Sequence, residues 1–192
     1  MKLTLLRHGE TEANLKGLYY GVSDIPITPE SEADLKLRAK SGNYPKAARY
    51  FTSGLLRAEQ SFAALYPGEE HSILPDLREI NLGDFEMRAY EELKNDPDFI
   101  AWCTGDNEKN VCPNGESGEQ VTERALSALR PIIEAGENAV VITHGGVIGG
   151  VLARLFPNPK GRFLFTPAPG TGYTVEFEGN EPIRYYKTPA ED

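Results

Sequence analysis

Short apolar runs alternate along this chain with longer stretches whose apolar residues recur every three or four positions. Residues 2–6, 48–52 and 138–143 are too short for helices and place apolar side chains at successive positions, so they predict strands buried on both faces. Residues 73–74 predict a further, shorter strand. Between them, Thr28 followed by Pro29 marks a helix start running to about residue 41, after an extended stretch imposed by the prolines of 25–29. A second helix covers 55–66 and stops at Pro67-Gly68. Residues 90–102 read as helix with a break at Pro97, and 104–117, rich in Gly, Asn, Asp and Pro, as a surface loop. Val121, Ala125, Leu126, Leu129, Ile132 and Ile133 define an amphipathic helix over 119–135. Another helix follows over 147–156, and 171–186 alternate in polarity around Gly179-Asn180, which predicts a hairpin.

This order predicts an α/β fold: a three-layer sandwich with a mostly parallel central sheet and helices on both faces. The 192 residues suffice for one domain spanning 1–192. In such folds ligands bind beyond the carboxyl ends of the strands. Arg7-His8 and His144 each follow an apolar strand by one step, so both are expected at that edge.

Charge narrows the choice of partner. A net charge of −9 disfavours nucleic acid, which requires a basic face, but leaves room for a local cationic pocket. No apolar run approaches the roughly 20 residues that span a bilayer, and the first residues have too short an apolar core for a signal peptide. A cytoplasmic protein without membrane contact is expected, and Cys103 and Cys112 are read as two free thiols rather than a bridge or a zinc site.

The strand ends carry the candidate chemistry. Arg7-His8-Gly9-Glu10-Thr11 follows the first strand, Ser53-Gly54-Leu55-Leu56-Arg57 the second, and Thr143-His144-Gly145-Gly146 the strand of 138–143. Guanidinium forks pair with phosphate oxygens, glycines admit close backbone approach, and helix starts add partial positive charge. A neutral imidazole can attack phosphorus if its other nitrogen is held as N–H, for instance by a backbone carbonyl after His8. A leaving alkoxide then needs a proton from a carboxylic acid. The residues alone leave Glu79 and Glu86 equal for that role, with Glu10 and Glu116 near the pocket and Glu116 shaping its rim. His71 has no motif around it and reads as a surface histidine.

Taken in order, Leu5-Leu6-Arg7-His8-Gly9-Glu10-Thr11, Gly21 to Thr28, Thr52 to Ser61, Leu77 to Glu86, Pro113-Asn114-Gly115-Glu116-Ser117 and Thr143-His144-Gly145-Gly146 resemble the motif series of the histidine phosphatase superfamily, also called phosphoglycerate mutase-like. The resemblance spans 2 to about 156. It implies His8 as nucleophile, Arg7, Arg57 and His144 as phosphate holders supported by Asn14, and Glu79 as proton donor and later activator of water. It implies no metal and no organic cofactor. Three departures stand out: Gly54 in place of a proline, Ser31 in place of a glycine on a helix, and Met87 in place of the glycine after the acidic-aromatic stretch.

The segment of about 87–117 is expected to form a small lid, with Tyr90, Phe99 and Trp102 anchoring it to the core rather than meeting substrate. Set against the larger middle insertion that the resemblance leads one to expect of the family's mutases, its modest length favours phosphomonoester hydrolysis over phosphoglycerate mutase-type transfer, and the Pro113–Ser117 run resembles small phosphatases such as α-ribazole phosphatase. The expected partner is a small phosphorylated metabolite; a homodimer is left open. A non-catalytic phosphate-binding regulatory module is the other class of reading, against which both histidines and Glu79 are present.

Overall fold

A computed structural model describes residues 1–106 and 108–189. Strand β1 (Lys2–Arg7) pairs in parallel with β6 (Ala139–Thr143), which pairs in parallel with β3 (Arg49–Thr52), and β3 with the two-residue β4 (Ser72–Ile73). On the other side of β1, β7 (Gly172–Glu178) and β8 (Glu181–Thr188) complete an antiparallel flank, giving the order β4-β3-β6-β1-β7-β8. The expected α/β sandwich with a mostly parallel sheet is what forms.

The apolar runs explain the layering. Successive residues of a strand point to opposite faces. Leu3 and Leu5 of β1 and Ala139 and Val141 of β6 pack with α6 (Gly118–Glu134) and α7 (Gly145–Leu155). Leu6, Val140 and Ile142 pack instead with α2 (Pro29–Lys40) and α3 (Leu56–Leu65). A third apolar cluster, apart from the sheet, joins Leu82, Phe85, Leu93, Phe99 and Cys112 with Tyr19 and Trp102. The aromatics of 90–102 thus pack on one another and on Tyr19, with Tyr19 and Phe99 ring centres 5.2 Å apart. That segment folds as α4 (Tyr90–Leu93) and α5 (Pro97–Cys103), broken ahead of Pro97 as its sequence predicts. Cys103 is exposed, Cys112 is buried, and both are free.

The helix starts follow their sequence signals. Thr28 caps α2 with Pro29 in its first turn, and Ser117 caps α6 in a reciprocal box with Gln120. Helix α7 begins two residues earlier than the apolar pattern indicates, because His144 itself is its N-cap. The pattern does not predict the four-residue helix α1 (Glu12–Leu15), the small antiparallel pair β2 (Leu18–Tyr19) with β5 (Arg88–Ala89), or the 3-10 turn over Gly161–Phe165. Elements of two to five residues are too short to show a period.

Candidate functional site

The register of the sheet brings its strand ends level. Arg7 stands opposite Thr143, and Thr52 opposite Ile142, so the residues that follow β3, β6 and β1 emerge side by side. His8 and His144 are both buried, with ring centres 5.1 Å apart. Each is held by one nitrogen. Nδ1 of His8 lies 2.6 Å from the Gly9 carbonyl. A carbonyl only accepts, so Nδ1 carries the proton and Nε2 keeps its lone pair. Nε2 of His144 lies 2.8 Å from the Ser53 hydroxyl, and its Nδ1 is buried without a protein partner. Burial, then the nearby charge of Arg57, holds both imidazoles well below their ordinary pKa, so both are neutral at neutral pH.

The loop carrying His8 is tied from several sides. The Gly9 N–H donates to Ser61 Oγ at 2.8 Å and the Glu10 N–H to Ser31 Oγ at 2.7 Å. A side chain at Gly9 would come within 2.5 Å of that same Ser31 oxygen. Ser31 is therefore more than an indifferent helix residue. Gly54 sits at φ 78°, in the left-handed region, so a glycine suits this turn where proline could not.

Arg57 is wholly buried at the start of α3. Its Nη1 donates to the Ser23 carbonyl at 2.8 Å, its Nη2 donates to the Gly21 carbonyl, and its guanidinium lies 5.0 Å from the ring centre of Tyr20. Arg7 Nη1 donates to the Pro167 carbonyl at 2.9 Å. A Cβ on Gly145 would stand 3.4 Å from Arg7 Nε, which puts that guanidinium beside the start of α7. The Nε atoms of both arginines are buried without protein partners. Asn14 closes the ring of candidates. Its side-chain oxygen accepts from the Thr11 N–H at 3.1 Å and the Tyr20 hydroxyl at 2.9 Å, which leaves its NH₂ as the end turned to other acceptors.

The two candidate acids part company. Glu79 accepts from the Gly146 N–H at 2.9 Å and the Ile80 N–H at 3.0 Å, so it lies against the first turn of α7, next to His144. A Cβ on Gly146 would approach Glu79 Oε1 to 2.5 Å, so this glycine makes room for the acid. Glu86 instead accepts from the backbone N–H groups of Gly21, Val22, Ser23 and Leu82 and from the Ser23 hydroxyl. Burial would raise its pKa, but these hydrogen bonds outweigh burial and hold it below the ordinary carboxylate value. Glu116 is neutralised by Arg124, with Nε 2.8 Å from Oε1. His71 is not part of the cluster. It is partly buried rather than solvated, with Nε2 2.9 Å from Glu59 Oε2 and its ring against Phe62.

Sequence reasoning missed the supporting shell of Ser31, Ser53, Ser61, Tyr20 and Arg124. Among the described residues no group of three or more His, Cys, Asp or Glu is placed to hold a metal ion, and no helix is long and apolar enough to cross a membrane.

A basic cradle beyond the carboxyl ends of a parallel sheet, with two neutral imidazoles and an adjacent carboxylate, is an arrangement suited to an anion in an α/β protein. Residues 3–184 match the model of the histidine phosphatase superfamily (branch 1), and the chain belongs to that family. It is 34% identical over 166 residues to the adenosylcobalamin/alpha-ribazole phosphatase of Salmonella typhimurium, covering 83% of this chain and 81% of that protein. Its fold is similar to that of the alpha-ribazole phosphatase from Shigella flexneri, with a TM-score of 0.85, 26% identity and coverage of 95% and 93% of the two chains. It is also similar to the phosphoglycerate mutase from Thermus thermophilus, with a TM-score of 0.74, 32% identity and full coverage of both chains.

Proposed function

We propose that this protein hydrolyses monoesters of a small phosphorylated metabolite, without a metal, through a phosphohistidine on His8. The observation that carries the reading is the set of buried nitrogens without protein partners. Three of the four such side-chain atoms among the described residues are Arg7 Nε, Arg57 Nε and His144 Nδ1. An unpaired buried donor costs about 1–3 kcal/mol, and a phosphate held in this cradle would satisfy all three together. A Ser53 hydroxyl that donates to His144 Nε2 leaves Nδ1 as the proton-bearing end of that ring, the tautomer this reading requires for a donor to the phosphate.

In the first step Nε2 of His8 attacks phosphorus while the phosphorus–ester oxygen bond breaks. Charge on the phosphoryl oxygens is met by Arg7, Arg57, His144 and the Asn14 amide. The departing alkoxide takes a proton from Glu79 in its acid form. In the second step the Glu79 carboxylate takes a proton from water, the hydroxide oxygen attacks phosphorus, and the phosphorus–nitrogen bond breaks to release orthophosphate and restore neutral His8. Each Glu79 oxygen accepts one backbone N–H and keeps a second lone pair for this traffic. The described residues of the 87–117 segment, packed through Phe99 and Trp102 on Tyr19, serve in this reading as a lid beside the site.

His8→Ala is expected to lower turnover of p-nitrophenyl phosphate by several orders of magnitude with an unchanged circular dichroism spectrum. An acid-labile, base-stable phosphoenzyme should form with the native protein alone, and activity should survive a chelator. Full activity in His8→Ala would remove the proposal. Phosphoglycerate mutase-type transfer is the second reading, favoured by the likeness to the Thermus enzyme over the whole of both chains. Assaying α-ribazole phosphate, simple sugar phosphates and 3-phosphoglycerate for free phosphate against isomerised product separates the two.

A further inference from the structure

The stretch that carries Glu79 has almost no regular structure of its own. It is a single 3-10 turn over Pro75–Leu77 followed by extended backbone at Arg78. Carbonyls of such a segment, packed against the body of a protein, need donors from elsewhere. One side chain supplies most of them. Arg124, in the second turn of α6, donates from Nη1 to the carbonyls of Asp76 at 2.7 Å and Arg78 at 2.8 Å, and from Nη2 to that of Glu79 itself at 3.1 Å. Its two remaining N–H groups grip Glu116, from Nε at 2.8 Å and from Nη2 at 2.9 Å. All five guanidinium donors are thereby used. Glu116 completes the clamp: its Oε2 accepts the Asn81 N–H at 2.9 Å, and its own N–H donates to the Asn81 carbonyl at 2.8 Å. An exposed ion pair contributes little to a fold. This one is three-quarters sequestered, with side-chain exposures of 22% and 26%, and three of the arginine's five bonds fall on the backbone beside the acid.

We propose that Arg124, with Glu116, is the positioning pair for Glu79 in proton transfer. This rests on the reading of Glu79 as the acid. The phosphate-holding groups stand on other elements: His8 and Arg7 at the end of β1, Arg57 on α3, and His144 after β6. Loosening the clamp therefore displaces the proton donor and spares phosphate binding. A misplacement of about 1 Å can cost on the order of a hundredfold in rate. The cost should appear only where the leaving group needs a proton.

The test compares kcat/KM for benzyl phosphate, whose alkoxide must be protonated, with that for p-nitrophenyl phosphate, whose phenolate leaves unaided. Arg124→Ala is expected to lower the benzyl value by about ten- to a hundredfold and the p-nitrophenyl value by less than about threefold. Glu116→Gln keeps the arginine's carbonyl contacts; it should shift the ratio the same way by less, and it carries the test if Arg124→Ala does not fold. Glu79→Gln is the reference, and adding Arg124→Ala to it should leave the ratio where Glu79→Gln put it. Equal losses on both esters, or an unmoved ratio, in the clamp variants while Glu79→Gln still discriminates would overturn the positioning role alone. An unmoved ratio in Glu79→Gln would overturn the acid assignment and this inference with it.

Discussion

Two glutamates seven residues apart, in the same stretch and similar in sequence setting, have opposite fates. Glu86 accepts from five donors, four of them backbone N–H groups, and is held as an anion. Glu79 accepts from two and keeps spare lone pairs beside His144. A carboxylate saturated with N–H donors is a staple, because every donor favours the charged form and none leaves room for a substrate. A carboxyl group with fewer fixed partners can exchange a proton. Counting donors separates the two settings where residue type and spacing cannot. The staple still reaches the candidate site at one remove: it fixes residues 21–23, of which the Gly21 and Ser23 carbonyls hold Arg57.

The sharpest way to break this contrast is to neutralise each acid in turn. Glu79→Gln should lower kcat/KM for an unactivated phosphate ester by about 10²–10⁴-fold, the range of general acid catalysis. Its effect on folding should be small. One backbone N–H would face an amide NH₂ in place of an oxygen, a loss of about 1 kcal/mol. Steady-state kinetics with a parallel thermal melt reads both. A large drop in melting temperature with intact kinetics would exchange the roles of the two acids.

Glu86→Gln should do the reverse. Several N–H donors would lose their acceptor charge, and about 2–3 kcal/mol of stability should go, allowing for a group that is only half buried. Inhibition by inorganic phosphate should weaken as Arg57 loses its fixed carbonyls, and the loss in kcat/KM should be alike for activated and unactivated esters. The pH dependence follows from the sign of the shift. The folded pKa is depressed, so the stabilisation is full above the unfolded value of about 4.3 and is lost as pH falls through the folded one. In urea titrations the gap between native protein and Glu86→Gln should hold from pH 7 to about 5 and close at lower pH. A gap that widened on acidification would contradict the staple.

What the chain discloses on its own follows the same line. Ala139 to Thr143 is apolar on both faces, and that alone places a buried strand with His144 at its end. Arg7 and His8 are legible for the same reason. The shell that orients them is not, since its contacts join residues remote in sequence: Ser53 with His144 across 91 positions, Ser61 with Gly9 across 52. A serine on a helix face looks the same whether it meets solvent or the loop that carries His8. Arg124 is hidden likewise, because on the amphipathic pattern of α6 it is one more polar residue. Apolar periodicity reports which face is buried, and the polar contacts that aim a side chain have no period to read.

The smallest effect expected bears on the residue next to the staple. The turn out of Glu86 sends the Met87 N–H to the Tyr19 carbonyl at 2.6 Å, joining the stapled segment to β2. This path requires a left-handed residue, and Met87 adopts φ 61° despite its side chain. Methionine at a left-handed position adds strain, about 1–2 kcal/mol for an ordinary residue in this region. Met87→Gly relieves that strain, while the greater freedom of glycine in the unfolded chain takes back about 0.4–1 kcal/mol. The side chain is 41% exposed, so little packing is lost. The net expectation is a gain of roughly 0.5–1 kcal/mol, or about 1–4 °C in melting temperature for a chain of this size, with unchanged kinetics. Stabilisation of Glu86→Gln by the same substitution should be smaller, because the left-handed turn is needed only while the staple holds. A fall in melting temperature in the native background would show that the Met87 side chain contributes more through contact than its backbone loses through strain.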